Sequence, residues 1–341
     1  MIHFESDYLE GACPEILERL VETNMDKTEG YGEDPYCESA RDKIRKACKC
    51  PDAEIHFLVG GTQTNMTIIK ALLKSYEGVM DAPTGHISQH EAGAIEFTGH
   101  KVFPLPSEEG KISGAEVRKF MDDFLKDGNR DHMVRPGMVY ISHPTELGTL
   151  YTKKELTDLS KVCREYDIPL FMDGARLGYG LMATDTDVTL ADIAELCDIF
   201  YIGGTKVGAL FGEAVVIPKP GLIENFFPMI KQMGASLAKG RILGVQFDTL
   251  FTDDLYMKIS GHAIHMADKL EQGLRDKGCR FFLETPTNQK FIIMDNKKLE
   301  ELGKSVVYEY VQAYDDNNTV IRFCTSWATE EKDIDLLLNL M

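Results

Sequence analysis

The sequence predicts an α/β fold, with a large domain on a mostly parallel seven-stranded sheet and a smaller α+β C-terminal domain. Three observations carry this. Apolar runs of strand character alternate with amphipathic helical segments as far as about residue 218, the pattern of a parallel sheet covered on both faces. Two of those runs stop at chemically active residues: Leu170-Phe171-Met172 at Asp173, and Ile199-Phe200-Tyr201-Ile202 at Gly203-Gly204-Thr205-Lys206. From about Gly221 the alternation gives way to a long helical region and then to short strand-like runs. The division this suggests is 1–235 for the large domain, whose N-terminal segment contributes to the site, and 236–341 for the smaller one.

Phe4–Tyr8 reads as a short extended start, and Cys13-Pro14 opens a helix with proline in its first turn. Gly30-Tyr31-Gly32-Glu33-Asp34-Pro35 is a glycine-rich loop in which Asp34 can N-cap an amphipathic helix reaching about Lys49. A buried strand at 54–59 stops at Gly60-Gly61-Thr62, and a helix follows at 65–73. Further strands are expected near 78–81, 100–105, 138–143, 169–173, 199–204 and 213–218, with helices near 88–97, 113–127, 153–166 and 189–197. The helical region at 237–277 has one expected break, at Gly261. Strands at 280–284, 289–294, 306–313 and 319–324 and helices at 296–303 and 329–340 complete the chain.

Composition narrows the function classes. The 341 residues are 43% hydrophobic and 27% charged, enough for a substantial core. With 55 acidic residues against 37 basic ones and no basic block, neither nucleic acid nor an anionic membrane is an expected partner. No apolar run is long enough to span a bilayer, and the N-terminus has no signal-peptide pattern. Of the eight cysteines only Cys48-Lys49-Cys50 is close-spaced, so no metal site is expected and buried free thiols in a reducing cytoplasm are.

Ligands of open α/β sheets sit beyond the carboxyl ends of the strands. Asp173 and Lys206, each ending a strand-like run, therefore face one site, unless Asp173 merely caps a helix and Lys206 is a solvated loop lysine. Pyridoxal 5′-phosphate needs such a pair: a lysine amine for its aldehyde and a carboxylate that keeps its ring nitrogen protonated. Gly61 and Thr62, between a strand and a helix, offer backbone N–H groups and a hydroxyl to a phosphate. His86 can stack on a pyridine ring or exchange protons near neutral pH, whereas His90 reads as a surface or cap residue. Arg322, among apolar neighbours in Val320-Ile321-Arg322-Phe323, needs an anion, either a substrate carboxylate or an internal ion-pair partner.

Together with Ser6-Asp7, Tyr31–Pro35, Glu91, Asp173-Gly174-Ala175-Arg176 and Thr205-Lys206, these residues resemble the threonine aldolase and aromatic amino acid β-eliminating lyase family of fold-type I pyridoxal-phosphate enzymes. The resemblance runs from Phe4 to the 320s and rests chiefly on Asp-Gly-Ala-Arg with its later lysine. It implies that Lys206 forms the Schiff base, Asp173 pairs with the ring nitrogen, His86 stacks on the ring, and Gly61 and Thr62 hold the phosphate. It further implies Ser6, Arg176, Arg322 and Glu91 at the amino-acid substrate, with Arg176 also near the cofactor. Arg241 would reach a phosphate across the interface of a homodimer or homotetramer. The chain departs from the family at Thr205-Lys206-Val207-Gly208 and in the loop Ser142-His143-Pro144-Thr145-Glu146, where an asparagine-rich segment is usual.

The expected reaction is retro-aldol cleavage of L-threonine or L-allo-threonine to glycine and acetaldehyde, with His86 or a water it holds taking the β-hydroxyl proton. The alternative is β-elimination from another β-substituted amino acid, in which Lys206 removes the Cα proton. A catalytically silent protein of this fold is the third reading, disfavoured by the intact lysine, aspartate and arginines.

Overall fold

The computed structural model describes residues 1–341. In chain order the strands are β1 (Ile2–His3), β2 (Glu54–Leu58), β3 (Glu77–Asp81), β4 (Val102–Pro104), β5 (Arg135–Ser142), β6 (Leu170–Asp173), β7 (Ile199–Gly203) and β8 (Glu213–Ile217). Five more follow: β9 (Arg280–Leu283), β10 (Gln289–Asp295), β11 (Val306–Val307), β12 (Glu309–Ala313) and β13 (Asn318–Cys324). A seven-stranded sheet runs in the order β2-β8-β7-β6-β5-β3-β4. β4, β3, β5, β6 and β7 are parallel, while β8 is antiparallel to both of its neighbours.

Alternation along the central strands sends side chains into two separate cores, one on each face of the sheet. Ile141, Leu170, Met172, Phe200 and Ile202 join the larger core, against Val117 and Met121 of the helix Gly114–Lys126 and Leu156 and Leu159 of Lys153–Glu165. Met138, Tyr140, Phe171, Ile199 and Tyr201 face the other way, onto Ile68 and Ile69 of the helix Gly61–Leu72 and Phe226 and Ile230. Each fully buried aliphatic or aromatic side chain contributes about 1.5–3 kcal/mol.

A third core, with Leu270, Leu274, Ile292, Ile321, Phe323 and Leu337, lies under the antiparallel sheet β12-β13-β10-β9. The helix Leu255–Asp276 ties the assembly together, placing Tyr256 and Ala263 in the larger core and Met266, Leu270 and Leu274 in the third. The N-terminus returns to the same place, because β1 pairs in parallel with β11. Ser6 and Asp7 follow directly and are thereby carried between the two sheets.

Several elements differ from the sequence expectation. The helix expected at 88–97 is two short turns, His86–Gln89 and Ala94–Phe97, because Ala92 and Gly93 adopt left-handed conformations at φ 51° and 75°. Gly261 does not break its helix, which runs unbroken from Leu255 to Asp276. The break falls earlier, where Asp253 and Asp254 sit at φ 50° and 57°. The run expected as one strand at 306–313 is split between β11, which pairs with β1, and β12, which pairs with β13. The helix expected from 65 begins at Gly61, and the helices Leu177–Met182 and Phe226–Gln232 were not expected. Asp34 does cap its helix, accepting from the Cys37 N–H at 2.9 Å with Pro35 in first position.

Candidate active site

The carboxyl ends of β5, β6 and β7 converge on one region, with Ser142 in register with Asp173 on the neighbouring strand. Close approach is made possible by two glycines. A Cβ on Gly174 would stand 2.0 Å from the Tyr201 carbonyl oxygen, and one on Gly203 2.3 Å from that of Ala175.

Asp173 is buried and fully engaged. Its Oδ2 accepts from the Tyr140 hydroxyl at 2.6 Å and from Asn65 Nδ2 at 2.9 Å, and its Oδ1 accepts from the Ala175 N–H at 2.9 Å. Burial opposes ionisation, but the nearby His86 charge and the Tyr140 and Asn65 hydrogen bonds outweigh it and hold the carboxyl below its ordinary pKa. Asn65 spends its other proton on Glu91 Oε1 at 2.8 Å, and the same oxygen lies 2.9 Å from His86 Nδ1. A continuous polar chain thus runs Tyr140–Asp173–Asn65–Glu91–His86. Burial disfavours charge on His86, yet the Glu91 hydrogen bond and the charges of Asp173 and Glu91 prevail, and its pKa is raised.

Lys206 lies in the turn after β7. Its Nζ makes no hydrogen bond and no ion pair within the chain and stands 5.8 Å from the centre of the Tyr8 ring. Burial and the Arg176 guanidinium lower its pKa against the opposing pull of Asp7, Asp173 and Glu213. The turn itself is held by Glu213, which accepts from Thr205 Oγ1 at 2.8 Å and from the Gly204 N–H at 3.2 Å. Burial pushes the Glu213 carboxyl up to about 8.

Arg176 meets Asp7 at two points, Nε to Oδ2 at 2.6 Å and Nη2 to Oδ1 at 3.0 Å. The two N–H groups of Nη1 and the second of Nη2 remain for a substrate carboxylate, so Arg176 is shared between Asp7 and the expected grip. Glu91 also differs from expectation. Its Oε1 is taken by His86 and Asn65 and its Oε2 is buried, so it orients His86 and does not face a substrate. Arg322 has no carboxylate partner: Nη1 donates to Gln289 Oε1 at 2.9 Å, Nη2 to the Glu5 carbonyl at 3.0 Å, and Nε is buried without a partner. The internal ion pair weighed for it is not formed. Ser6 Oγ, next to Asp7, is likewise buried and unpartnered.

Gly61 and Thr62 open the helix that carries Asn65, with their N–H groups at its N-terminus. A Cβ on Gly61 would lie 3.2 Å from the Tyr201 hydroxyl. That hydroxyl and Thr64 Oγ1 are both buried without partners. Arg241 is not brought to this site within the chain; it donates to the Thr23 and Asp26 carbonyls. His90 is exposed, with its ring centre 5.9 Å from that of His86.

These residues fit pyridoxal phosphate. An ionised buried acid, an unpartnered desolvated lysine, and orphaned hydroxyls at a helix N-terminus are what its ring nitrogen, aldehyde and phosphate require. Asn65, Tyr140, Asp7 and Glu213 were missed as working parts of the site. Asp7 adjoins Ser6 and Asn65 opens the helix expected from 65, yet neither sequence position declares its partner, and no local signal marks Tyr140 or Glu213.

The sequence model described as beta-eliminating lyase matches residues 3–297. A curated low specificity L-threonine aldolase of Pseudomonas sp. (strain NCIMB 10558) is 32% identical over 337 residues, spanning 96% of this chain and 93% of that protein. The solved structure of Leishmania major threonine aldolase matches with a TM-score of 0.96 at 42% identity, covering 100% of this chain and 98% of that one. An aspartate aminotransferase variant from Thermus thermophilus matches at TM-score 0.71 and 17% identity, over 99% of this chain and 95% of that one, a likeness of fold alone. The expected fold-type I architecture is therefore the observed one, and with the family match covering most of its length the chain belongs to the beta-eliminating lyase family.

Proposed function

We propose that this protein binds pyridoxal 5′-phosphate and cleaves L-threonine and L-allo-threonine to glycine and acetaldehyde. The observation that carries the reading is Lys206: a desolvated amine with no partner of its own, near a buried Asp173 that accepts from three donors and whose pKa the His86 charge helps to lower. The aldolase names of the relatives favour this reaction over elimination.

When bound, the cofactor supplies a conjugated ring that withdraws electrons from the substrate's Cα. The chain does the rest. Lys206 Nζ would hold the cofactor through its aldehyde, and its lowered pKa favours the neutral, nucleophilic amine. Asp173 would keep a proton on the ring nitrogen. His86, oriented by Glu91, would stack against the ring, and Gly61 and Thr62 would donate to the phosphate. Arg322 takes the substrate carboxylate, assisted by Ser6 Oγ and the free Nη1 of Arg176, and so sets the orientation of the Cα–Cβ bond. Arg241 serves the phosphate of a neighbouring subunit in a homodimer or homotetramer. A cytoplasmic location agrees with the free cysteines, six of them buried, and no helix is long and apolar enough to cross a membrane.

A product assay on the cofactor-loaded enzyme tests the reading, using L-threonine and, separately, serine and tyrosine. Glycine and acetaldehyde are expected from threonine. Pyruvate and ammonia as the main products would replace cleavage with β-elimination, and no product from any of the three would refute both.

A further inference from the structure

Resting on that reading, we infer that Glu146, and not His86, is the catalytic residue that accepts the substrate's β-hydroxyl proton. Glu146 lies in the loop that leaves β5 at Ser142, the residue in register with Asp173. This loop is firmly held. Thr145 and Thr149 join their hydroxyls at 2.7 Å, Thr149 Oγ1 donates to the Glu109 carbonyl at 2.8 Å, and Thr287 Oγ1 donates to the Gly148 carbonyl at 2.9 Å. Glu146 Oε1 accepts from Ser142 Oγ at 2.6 Å, which aims the carboxylate.

Elimination among the carboxylates points to the same group. At these strand ends Asp173, Asp81 and Glu213 each have both oxygens hydrogen-bonded. Glu91 has a free oxygen, but it is buried. Glu146 Oε2 has no hydrogen-bond partner in another residue and is not among the buried atoms. No cation pairs with it.

Its charged and titratable surroundings are Asp81, His86, Tyr140, Tyr151, Asp173 and Arg176. Burial and the neighbouring Asp173 raise its pKa, moving the carboxylate toward the basicity that proton transfer at neutral pH requires. His86 is tuned the other way. Bound to Glu91 and with a raised pKa, it is the more readily protonated, and an imidazolium has no lone pair to accept a proton.

The step balances without another reactant. The hydroxyl proton passes to Glu146 Oε2, and the O–H electron pair becomes the second carbon–oxygen bond of acetaldehyde. The Cα–Cβ bond breaks with its pair left toward Cα, which then takes a proton from Lys206, an ammonium since it collected the incoming substrate amine's proton on displacement, to complete glycine. Glu146 returns its proton to water, and Lys206 regains one.

The test compares wild type with Glu146→Gln, which keeps an oxygen for Ser142, and with Glu146→Asp, all as holoenzyme. Three readouts are taken: threonine cleavage across pH, exchange of glycine's α-proton for deuterium, and melting temperature. Glycine has no β-hydroxyl, so its exchange needs Lys206 but not Glu146. For Glu146→Gln, cleavage should fall by about 10²- to 10⁴-fold, the range of a removed general base. Its exchange rate and melting temperature should stay near those of wild type, and the acid-side rise of kcat/KM should vanish. Glu146→Asp should restore part of the cleavage and the rise with pH. Cleavage by Glu146→Gln at nearly the wild-type rate would overturn the role of Glu146 while leaving the proposed function standing. Equal loss of cleavage and exchange would also overturn it, marking a structural role. A wild type that makes no glycine from threonine would instead refute the proposed function.

Discussion

Asp7 and Arg176 are joined at two points, 2.6 Å and 3.0 Å apart, in a setting where the Asp7 side chain is fully buried. The pair fastens the N-terminal segment to the turn after β6, next to Lys206. Asp7→Asn leaves the Arg176 charge without its partner, and unfolding free energy should fall by about 3–5 kcal/mol at pH 7. The Arg176 charge also fixes the pH dependence. Burial would raise the Asp7 carboxyl, but Arg176 and Lys206 hold it at about 2 against an ordinary 3.8. A depressed folded-state pKa gives stability that is present above 3.8 and lost as pH falls through 2. Denaturant melts at several pH values should show the wild-type advantage shrinking across that window.

Glu213 has the opposite sign. Its folded-state pKa is raised, chiefly by burial, from 4.5 to about 8. Protonation therefore favours the folded chain, and this group's contribution is full below 4.5 and lost as pH rises toward 8. Glu213→Gln stays neutral throughout. It should gain stability relative to wild type as pH rises from 5 to 9, a trend that thermal melts of the two proteins will show or deny.

Asp173→Asn should fold and bind cofactor but turn over slowly. An amide carries no charge to hold a proton on the ring nitrogen, and one of its ends presents donors to the hydroxyl and amide now aimed at Oδ2. A fall in kcat on the order of a hundredfold is expected, comparable to losing one electrostatic contact at a reacting centre. A variant with near-wild-type kcat would remove Asp173 from the mechanism.

Arg322→Lys separates substrate binding from structure. Arg322 donates only to neutral oxygens, Gln289 Oε1 and the Glu5 carbonyl, so no internal ion pair is lost on replacement. Lysine loses the planar fork that meets both carboxylate oxygens. Raised KM for threonine and a drop in kcat/KM of about a hundredfold, roughly 2.7 kcal/mol, are expected with little change in melting temperature. A lower melting temperature with unchanged kinetics would mark Arg322 as structural.

Much of this was legible in the chain because strand ends are local events. An apolar run that stops at Asp173, and another that stops in a glycine turn before Lys206, declare both residues and their side of the sheet. The partners are another matter. Asp7 reaches Arg176 across 169 positions and Asn65 reaches Asp173 across 108, separations at which no periodicity or spacing connects residues. Tyr140 looks like one more apolar strand residue, and Glu213 like the polar first residue of β8. What fills them with meaning is the register that sets β5 beside β6 and β7 beside β8. Gly261 misled for a related reason: a glycine inside a helix is a local weakness, but packing against neighbouring elements keeps that helix whole.

The most direct measurement is reduction of the pyridoxal-phosphate-loaded enzyme with borohydride, followed by digestion and mass mapping of the modified peptide. The account expects a yellow protein that bleaches on reduction, with the cofactor fixed to the peptide containing Lys206, and no such adduct in Lys206→Ala. A reduced adduct on a different lysine, or the same adduct persisting in Lys206→Ala, would contradict it.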